Sequence, residues 1–284
     1  MAPDTNKPAR LARWYVDTRP TTSTTSSLPL LETLQPRDQD TVRKYYHLAD
    51  RHMSLASYLL KYLFVHRTCR IPWNEISISR TPAPHHRPCF VPAAAGEMDS
   101  SIEFNVSHQA SLVALAGTVT PSLSLSKTTN PSPHPNMQPT PQIGIDITCV
   151  DERSRRGGKN TAPTTAAALA DFIDIFAEVF SARELRAMKT LDREGFAFAS
   201  EADAVKAALR LFYTFWALKE AYIKMTGEAL LAPWLRELEF TDVVAPAAGP
   251  GSGSGWSAPY TGVRTWLYGR EMKDVRVEVV AFEE

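Results

Sequence analysis

Residues 216–224 have the sequence WALKEAYIK, and the fold prediction starts from this stretch. Side chains four residues apart lie on one face of an α-helix, so Trp216, Glu220 and Lys224 form a column. A carboxylate and an ammonium therefore lie one turn apart, beside an aromatic ring. Apolar residues on the other faces predict a largely buried helix over about 205–226. Charged groups on such a helix need partners, because an unpaired buried charge is unfavourable.

The column has two interpretations. Glutamate and lysine at this spacing are a common solvent-facing pair worth about 0.3–0.5 kcal/mol, and a tryptophan is commonly part of the core. Alternatively, the carboxylate binds a divalent cation and the ammonium binds a phosphate. The apolar surroundings favour the second interpretation without excluding the first.

Length and charge limit the classes of function. The 284 residues suffice for one large or two medium domains, and a hydrophobic content of 44% supports a normal core. Lys and Arg together number 31, as do Asp and Glu, so the formal net charge is zero. That balance argues against a general nucleic-acid binder, which needs a basic surface, although a local basic pocket stays open.

Cysteine usage and hydropathy predict a cytoplasmic protein. Cys69, Cys89 and Cys149 show neither CxxC nor zinc-site spacing, which indicates free thiols in a reducing compartment. No stretch approaches the roughly 20 apolar residues of a membrane span, and we find no signal-peptide pattern. No membrane association is therefore expected.

Hydrophobic periodicity and turn residues predict the elements along the chain. In the first half these are a loop over 18–29, helix over 36–66 with a break near Ala49-Asp50, strands at 102–106 and 112–116, and a Pro/Ser/Thr-rich loop or linker at 118–141. In the second half these are a strand at 142–148, a loop at 153–165, a helix at 166–179, a helix begun by a capping box at Ser181–Glu184, a flexible insertion at 245–259, and strands at Arg264–Leu267 and Val275–Ala281.

Asp146 is the second residue with possible chemistry. Alternation in its predicted strand places it on the face opposite Ile145 and Ile147. An ordinary edge-strand aspartate is one interpretation. A shared pocket with Glu220 is the other, and two carboxylates about 4 Å apart repel by roughly 4 kcal/mol at an effective dielectric of 20. A Mg²⁺ ion between them would remove that repulsion, and no His/Cys cluster indicates a softer metal.

Ser107 and His108 form the third segment, at the end of a predicted strand. Adjacent strand residues point to opposite faces, so the pair is not a hydrolase dyad. A structural histidine stays an alternative. GxSxG, Walker and GxGxxG motifs are absent from the sequence, which leaves the common hydrolase and nucleotide-binding folds unsupported.

Three motifs then occur in order: Asn105-Val106-Ser107-His108, Gly144-Ile145-Asp146-Ile147 and the WALKEAYIK stretch. Together they resemble the large, monomeric Sfp-type 4′-phosphopantetheinyl transferases. The likeness covers most of residues 36–240, and its further matches are Arg43-Lys44-Tyr45-Tyr46-His47, Asp50, Ser54 and Arg87-Pro88. The low-complexity insertions are similar to those of fungal broad-specificity members.

The resemblance implies an α+β fold of two similar, pseudo-twofold-related subdomains. Each would have a small, mainly antiparallel sheet with a long helix, and the active site would lie in the cleft between them. The subdomains would be residues 1–141, ending in the loop or linker 118–141, and residues 142–284, containing the insertion 245–259. A monomer is expected.

The resemblance also implies an activity. Family members transfer the phosphopantetheine arm of coenzyme A to a serine of an acyl or peptidyl carrier protein and release adenosine 3′,5′-bisphosphate. The expected carriers serve fatty acid, polyketide and nonribosomal peptide synthesis, and include the aminoadipate reductase of the lysine pathway. Mg²⁺ is the expected metal, and Mn²⁺ is expected to substitute for it.

Site residues follow by matching positions. Asp146 and Glu220 match the Mg²⁺ ligands, Lys224 matches the lysine that contacts phosphate, and these three are the predicted catalytic residues. The predicted coenzyme A contacts are these three together with Arg51, Ser54, Arg87, Ser107 and His108. Glu220, directly or through water, is the predicted acceptor of the carrier-serine proton.

One position departs from the family pattern. Thr148 stands where many bacterial members have a third acidic ligand, so we expect a water molecule to complete the metal site and a lower Mg²⁺ affinity. Two other functions stay open: another Mg²⁺-dependent phosphotransferase or pyrophosphatase, and a non-catalytic carrier-binding module. Intact Asp146, Glu220 and Lys224 weigh against the module.

Overall fold

A computed structural model describes residues 11–91, 100–121, 141–150, 162–191, 198–228, 232–246 and 257–282, with 100, 101, 120 and 121 contributing backbone only. The chain forms two compact units. One comprises Met1–Ile147 with Ala221–Glu228, and the other comprises Thr148–Glu220 with Ala229–Glu284. Both contain helices and a small antiparallel sheet, so the predicted α+β class is confirmed. The predicted pair of transferase subdomains, 1–141 and 142–284, stays a prediction.

The first unit is built around one sheet. Its elements are β1 (Ala12–Asp17), α1 (Arg19–Thr24), α2 (Pro36–Arg43), α3 (Leu48–Cys69), β2 (Ile78–Arg80), β3 (Pro88–Phe90), β4 (Ser100–Gln109) and β5 (Leu112–Pro121). The strands β1, β5 and β4 pair in that order, both pairs antiparallel, and β2 pairs separately with β3. The hairpin β4–β5 therefore supplies the middle and one edge of the main sheet.

Helix α3 covers one face of this sheet and forms the core with it. The ring of Phe64 lies 5.8 Å from that of Trp14 and 5.9 Å from that of Phe104, centroid to centroid. Val113 and Leu115 on β5 are fully buried in the same cluster. Because β4 alternates, Phe104, Val106 and His108 point toward the α3 face, and the intervening residues point away from it.

Predictions for the first half were mostly confirmed. The helical pattern at 36–66 is α2 followed by α3, with the break at residues 44–47 rather than at Ala49-Asp50, and both predicted strands exist as β4 and β5. The predicted loop at 18–29 was wrong in part, because α1 lies within it. Pro20 is compatible with the first turn of a helix, and the hydroxyls of Ser23 and Thr24 donate to its carbonyl.

The second unit packs helices against a separate sheet. Its elements are α4 (Ala166–Asp174), α5 (Ala182–Lys189), α6 (Glu201–Thr226), β6 (Leu238–Thr241), β7 (Arg264–Leu267) and β8 (Arg270–Glu271), of which α6 passes into the first unit at Ala221. The strands pair antiparallel in the order β6-β7-β8. Aromatic rings of α4, the following turn and α6 contact one another, namely Phe172, Phe176, Phe180, Phe212 and Trp216.

Some predictions for the second half were confirmed, and others were wrong. The long helix, the capping box at Ser181–Glu184 and the strand Arg264–Leu267 are confirmed. The helix predicted at 166–179 ends at Asp174 and continues as turns, and the strand predicted at Val275–Ala281 is wrong, since Val279 forms only an isolated bridge to Tyr260. The strands β1, β2, β3, β6 and β8 were not predicted.

The strand predicted at 142–148 is not found among the described strands, none of which pairs with this segment. Ile143 and Ile147 are buried at 9% exposure each, which explains the alternating apolar pattern. The backbone N–H of Ile147 donates to Oγ of Ser107 instead of to a neighbouring strand. A segment whose alternate residues are buried can therefore show the same sequence pattern as a strand.

Several predicted loops lie largely outside the described residues, namely 122–140 of the linker, 153–161 of the loop at 153–165, and 247–256 of the insertion. Among the described helices, none combines the length and the apolar character needed to cross a membrane.

Candidate active site

Ser107, Asp146 and Lys224 form a connected cluster in the first unit. The ammonium of Lys224 donates to Oδ1 of Asp146 at 2.6 Å and to Oγ of Ser107 at 2.9 Å. Ser107 in turn donates to the same Oδ1 at 2.9 Å. Three residues from three different motifs thus meet at one oxygen atom.

The β4–β5 register explains how Ser107 reaches this cluster. Ser107 pairs with Ala114, and Asn105 pairs with Ala116, on the sheet face turned away from α3. The small alanines leave room above that face for other chain segments. Ser107 is 4% exposed, so its hydroxyl is a structural fixture rather than a surface group.

Gly144 allows the Asp146 segment to approach helix α6. A Cβ atom at residue 144 would lie 1.8 Å from the carbonyl oxygen of Ala221 and 2.7 Å from the backbone nitrogen of Met225. Real side chains do not tolerate such distances from backbone atoms. The glycine in the Gly-Ile-Asp motif is therefore a packing requirement that brings Asp146 beside Lys224.

The end of α6 is held by further contacts. The amide of Asn105 donates to the carbonyl of Lys224 at 3.3 Å, and Asn105 is 4% exposed. Gly227 ends the helix with a φ of +79°, and its N–H donates to the carbonyl of Ile223 at 2.7 Å. Lys224 is thereby fixed at its backbone as well as at its ammonium.

Exposure separates the two members of the ion pair. The side chain of Asp146 is 8% exposed, whereas that of Lys224 is 30% exposed. The carboxylate is thus an internal anchor, and the ammonium still reaches solvent. Such a cation can bind an incoming anion without a rearrangement of the backbone.

His108 lies beside this cluster but points the other way. Alternation in β4 directs it toward the α3 face, and its imidazole is exposed at the end of the strand. Partial desolvation by its surroundings lowers the pKa of His108, and the charges of Lys224 and Lys61 lower it further. Asp50 opposes them. The positive charges of Lys224 and Lys61 beside this imidazole favour a negatively charged ligand.

Arg87 is the second fixed cation of this region. It is buried at 8% exposure, and its guanidinium forms an ion pair with Glu103 on β4. Burial raises the pKa of Glu103, while the charge of Arg87 opposes that rise. Glu103 was not among the sequence-predicted residues, although its place two residues before Asn105 puts it on the same strand face.

Two of the other predicted residues, Ser54 and Arg51, have no described hydrogen bond to the cluster. Ser54 is buried on α3, and Arg51 donates from Nε to the carbonyl of Tyr45 at 2.7 Å. In the described part of the chain, neither residue has a hydrogen bond to Ser107, Asp146 or Lys224. Glu220 lies on α6 one turn before Lys224 and belongs to the second unit.

Lys219 of the WALKEAYIK stretch has a role that the sequence did not predict. It is fully buried in the second unit, where its ammonium lies 2.9 Å from the equally buried carboxylate of Glu184. It also donates to the carbonyls of Leu235 and Leu238. Desolvation lowers the pKa of Lys219 and raises the pKa of Glu184. The capping box at Ser181–Glu184 was the available signal, because it fixes Glu184 at the helix start.

The chemistry of the cluster suits a hard cation as well as an anion. Carboxylate and hydroxyl oxygens are the ligands that Mg²⁺ prefers. Among the described residues there is no group of three or more His, Cys, Asp or Glu side chains that could hold a metal. A metal at Asp146 would therefore need oxygen ligands from elsewhere, such as phosphate and water, and the donor set fits a Mg²⁺ ion of this kind.

Comparison with known proteins assigns the class. The model of the 4′-phosphopantetheinyl transferase superfamily matches residues 142–275, and the model of the 4′-phosphopantetheinyl transferase N-terminal region matches residues 19–120. The chain belongs to the 4′-phosphopantetheinyl transferase family. It is an enzyme, a 4′-phosphopantetheinyl transferase, and the resemblance found in the sequence is confirmed.

Two fungal relatives are similar over nearly the whole chain. The 4′-phosphopantetheinyl transferase A of Aspergillus fumigatus is 63% identical over 96% of this chain and 80% of its own length. The 4′-phosphopantetheinyl transferase NpgA of Emericella nidulans is 55% identical over 95% of this chain and 78% of its own length. A more distant mouse protein, L-aminoadipate-semialdehyde dehydrogenase-phosphopantetheinyl transferase, is 24% identical over 70% of this chain and 50% of its own length.

Proposed function

We propose that this transferase moves the 4′-phosphopantetheine arm of coenzyme A to a serine hydroxyl of carrier proteins and releases adenosine 3′,5′-bisphosphate. The observation that supports this best is the Lys224 ammonium, anchored by Asp146 and Ser107 and still 30% exposed. A fixed, accessible cation is what the transfer of a charged phosphoryl group requires. The proposed substrate is a pyrophosphate, which matches that charge.

The reaction balances without a nucleophile from this chain. The carrier serine Oγ forms a new bond to the phosphorus that bears pantetheine, and the bond from that phosphorus to the bridging oxygen breaks. The bridging oxygen leaves with adenosine 3′,5′-bisphosphate. The serine proton passes to a base, and Glu220 is our proposed acceptor, directly or through water.

Lys224 is proposed to contact the pyrophosphate and to stabilise charge that develops on the leaving phosphate. Asp146 would orient Lys224 and, with Glu220, would hold Mg²⁺. When bound there, Mg²⁺ would neutralise part of the pyrophosphate charge. Mn²⁺ is proposed to substitute.

The other residues are proposed as coenzyme A contacts. Ser107 and His108 lie at the end of β4, and Arg87 lies beside the same strand, so all three are close to the anchored lysine in the first unit. Ser54 and Arg51 on α3 are proposed on the family resemblance alone. The pseudo-twofold pair of subdomains with an active-site cleft is likewise proposed from the resemblance.

The proposed acceptors are carrier domains of fatty acid, polyketide and nonribosomal peptide synthases. The name of the mouse relative supports an additional acceptor in aminoadipate metabolism, the reductase of the lysine pathway. A monomer in the cytoplasm is the proposed state. These assignments determine which apo carriers a test of activity should include.

Intact-protein mass spectrometry tests the function directly. An apo carrier protein incubated with the enzyme, coenzyme A and Mg²⁺ should gain the mass of one phosphopantetheine on its serine. EDTA should abolish the gain, and a carrier with that serine changed to alanine should show none. No gain on any carrier class with folded enzyme would contradict the proposal, and carrier binding without covalent change would indicate a binding module.

A further inference from the structure

Arg87 has an unusual hydrogen-bonding state for a buried cation. One of its terminal nitrogens donates to Glu103, and the side chain is only 9% exposed. Its Nε is buried and has no hydrogen-bond partner among the described residues. A guanidinium has five N–H donors, and buried donors in native proteins are nearly always paired. The unused donor therefore indicates a ligand that completes the arrangement.

Glu103 belongs to the same strand face as the cluster around Lys224. Glu103, Asn105 and Ser107 follow one another at alternate positions of β4. Asn105 donates to the backbone carbonyl of Lys224, Ser107 accepts from the Lys224 ammonium, and Glu103 accepts from Arg87. Strand β4 therefore contacts both Lys224 and Arg87 through three polar side chains on one of its faces.

The end of helix α6 supports Arg87 from another side. A Cβ atom at Gly227 would lie 2.7 Å from Cγ of Arg87 and 2.5 Å from the carbonyl oxygen of His85. The backbone of Arg87 is held as well, because its N–H donates to Oγ1 of Thr81 at 2.8 Å. Arg87 is therefore confined along its stem, and Glu103 determines the rotation of the guanidinium.

We propose that Glu103 is a positioning residue, which holds the Arg87 guanidinium so that its remaining N–H donors face a phosphate group of the donor substrate. This inference rests on the proposed function. A phosphate is the ligand because its oxygens accept several N–H bonds from the rigid guanidinium fork. Glu103 itself does not touch the substrate and acts through Arg87.

A double-mutant cycle tests this dependence. The variants are Glu103→Ala, Arg87→Ala and the double variant, and the measurements are kcat and KM for coenzyme A with an apo carrier. We expect Glu103→Ala to raise KM about tenfold and to change kcat less than about threefold. In the Arg87→Ala background, Glu103→Ala should have no further effect, because the group it positions is absent.

Conservative and control variants complete the design. Glu103→Gln keeps an accepting oxygen and should retain most of the affinity. Glu75→Ala removes an exposed carboxylate of the same unit and should leave KM unchanged. Thermal unfolding of each variant separates a KM effect from a loss of folded protein.

The proposal is overturned if Glu103→Ala raises KM equally with and without Arg87, leaves KM unchanged, or lowers it. The first result means that Glu103 affects coenzyme A binding without acting through Arg87, the second assigns the ion pair to stability alone, and the third makes Glu103 a competitor of the phosphate. Any of them can occur while the wild type still modifies its carrier, so the inference can fail without the proposed function. Failure of the wild type to modify any carrier would overturn both.

A second donor substrate locates the phosphate. 3′-Dephospho-coenzyme A keeps the pyrophosphate and lacks the 3′-phosphate. If its KM does not respond to Glu103→Ala, Arg87 contacts the 3′-phosphate, and if it responds as coenzyme A does, Arg87 contacts the pyrophosphate. Both results support the positioning role.

Discussion

Two lysines five residues apart on helix α6 form ion pairs of different kinds. Lys219 and Glu184 are both fully buried, and every donor–acceptor contact we describe for them is internal to the second unit. Lys224 pairs with Asp146 in the first unit, and its ammonium stays 30% exposed. Charge and pairing alone therefore do not distinguish Lys219 from the lysine proposed to contact phosphate. The exposure of the ammonium distinguishes them.

The largest expected effect is on stability, at Lys219. Lys219→Ala leaves the Glu184 carboxylate buried without its cation, so the free energy of unfolding should fall by about 3–5 kcal/mol. Urea or thermal denaturation measures it. Lys206→Ala, on the same helix with a side chain 78% exposed, is the matched control and should change little. A small effect at Lys219 would mean that the pair is not structural, and the comparison would fail.

The next largest effect is on activity, at Lys224. Lys224→Ala should lower kcat/KM about 10²–10³-fold, because it removes a fixed cation at the phosphoryl group. Its unfolding free energy should fall by less than that of Lys219→Ala, by about 1–2 kcal/mol, because Ser107 still donates to the Asp146 carboxylate after the ammonium is removed. Enzyme assays and denaturation on the same preparation check both values. A loss of unfolding free energy as large as that of Lys219→Ala would mean that the two ion pairs do not differ in this way.

A substitution at Gly144 tests whether the position of Asp146 matters as much as its charge. Gly144→Ala forces a Cβ against the Ala221 carbonyl, so the segment that bears Asp146 must move away from Lys224. We expect a loss of about 10–100-fold in kcat/KM, as for misplacements of about 1 Å. Gly262→Ala, whose near neighbour is the tip of the Tyr260 side chain, should retain activity. Normal activity of Gly144→Ala would show that the contact with α6 does not matter for catalysis.

A third lysine, Lys61, predicts a change of stability with pH. Lys61 lies over the ring of Tyr58 at 3.7 Å and has no ion pair among the described residues. Burial lowers its pKa from 10.5 to about 8; Asp38 opposes this shift and Arg80 adds to it.

Between about pH 8 and 10.5 the unfolded chain keeps a proton that the folded chain has released, so stability rises with pH in this window. Relative to Lys61→Met, the wild type should gain up to about 3 kcal/mol across this window, because one pKa unit corresponds to about 1.4 kcal/mol. Urea denaturation of both proteins at several pH values measures the difference. A constant difference would mean that the pKa of Lys61 is not lowered.

Much of the site could be predicted from local sequence. The WALKEAYIK helix, its stop at Gly227 and the strand that contains Ser107 all follow from periodicity over a few residues. Local periodicity did not predict the structure of residues 142–148, because burial of alternate residues outside a described strand gives the same alternation as a paired strand. It also failed at Arg19–Thr24, where a Thr-rich helix lacks an apolar stripe.

By itself, the sequence determined the order of motifs, the family and the residue types available for phosphate chemistry, because these depend on identity and spacing. Only the tertiary structure decided that Lys224 meets Asp146 and Ser107 at one oxygen, that Lys219 is a buried structural lysine, and that Glu103 holds Arg87. These contacts join residues far apart in the chain. Burial and distance between such residues depend on packing, which no local pattern specifies.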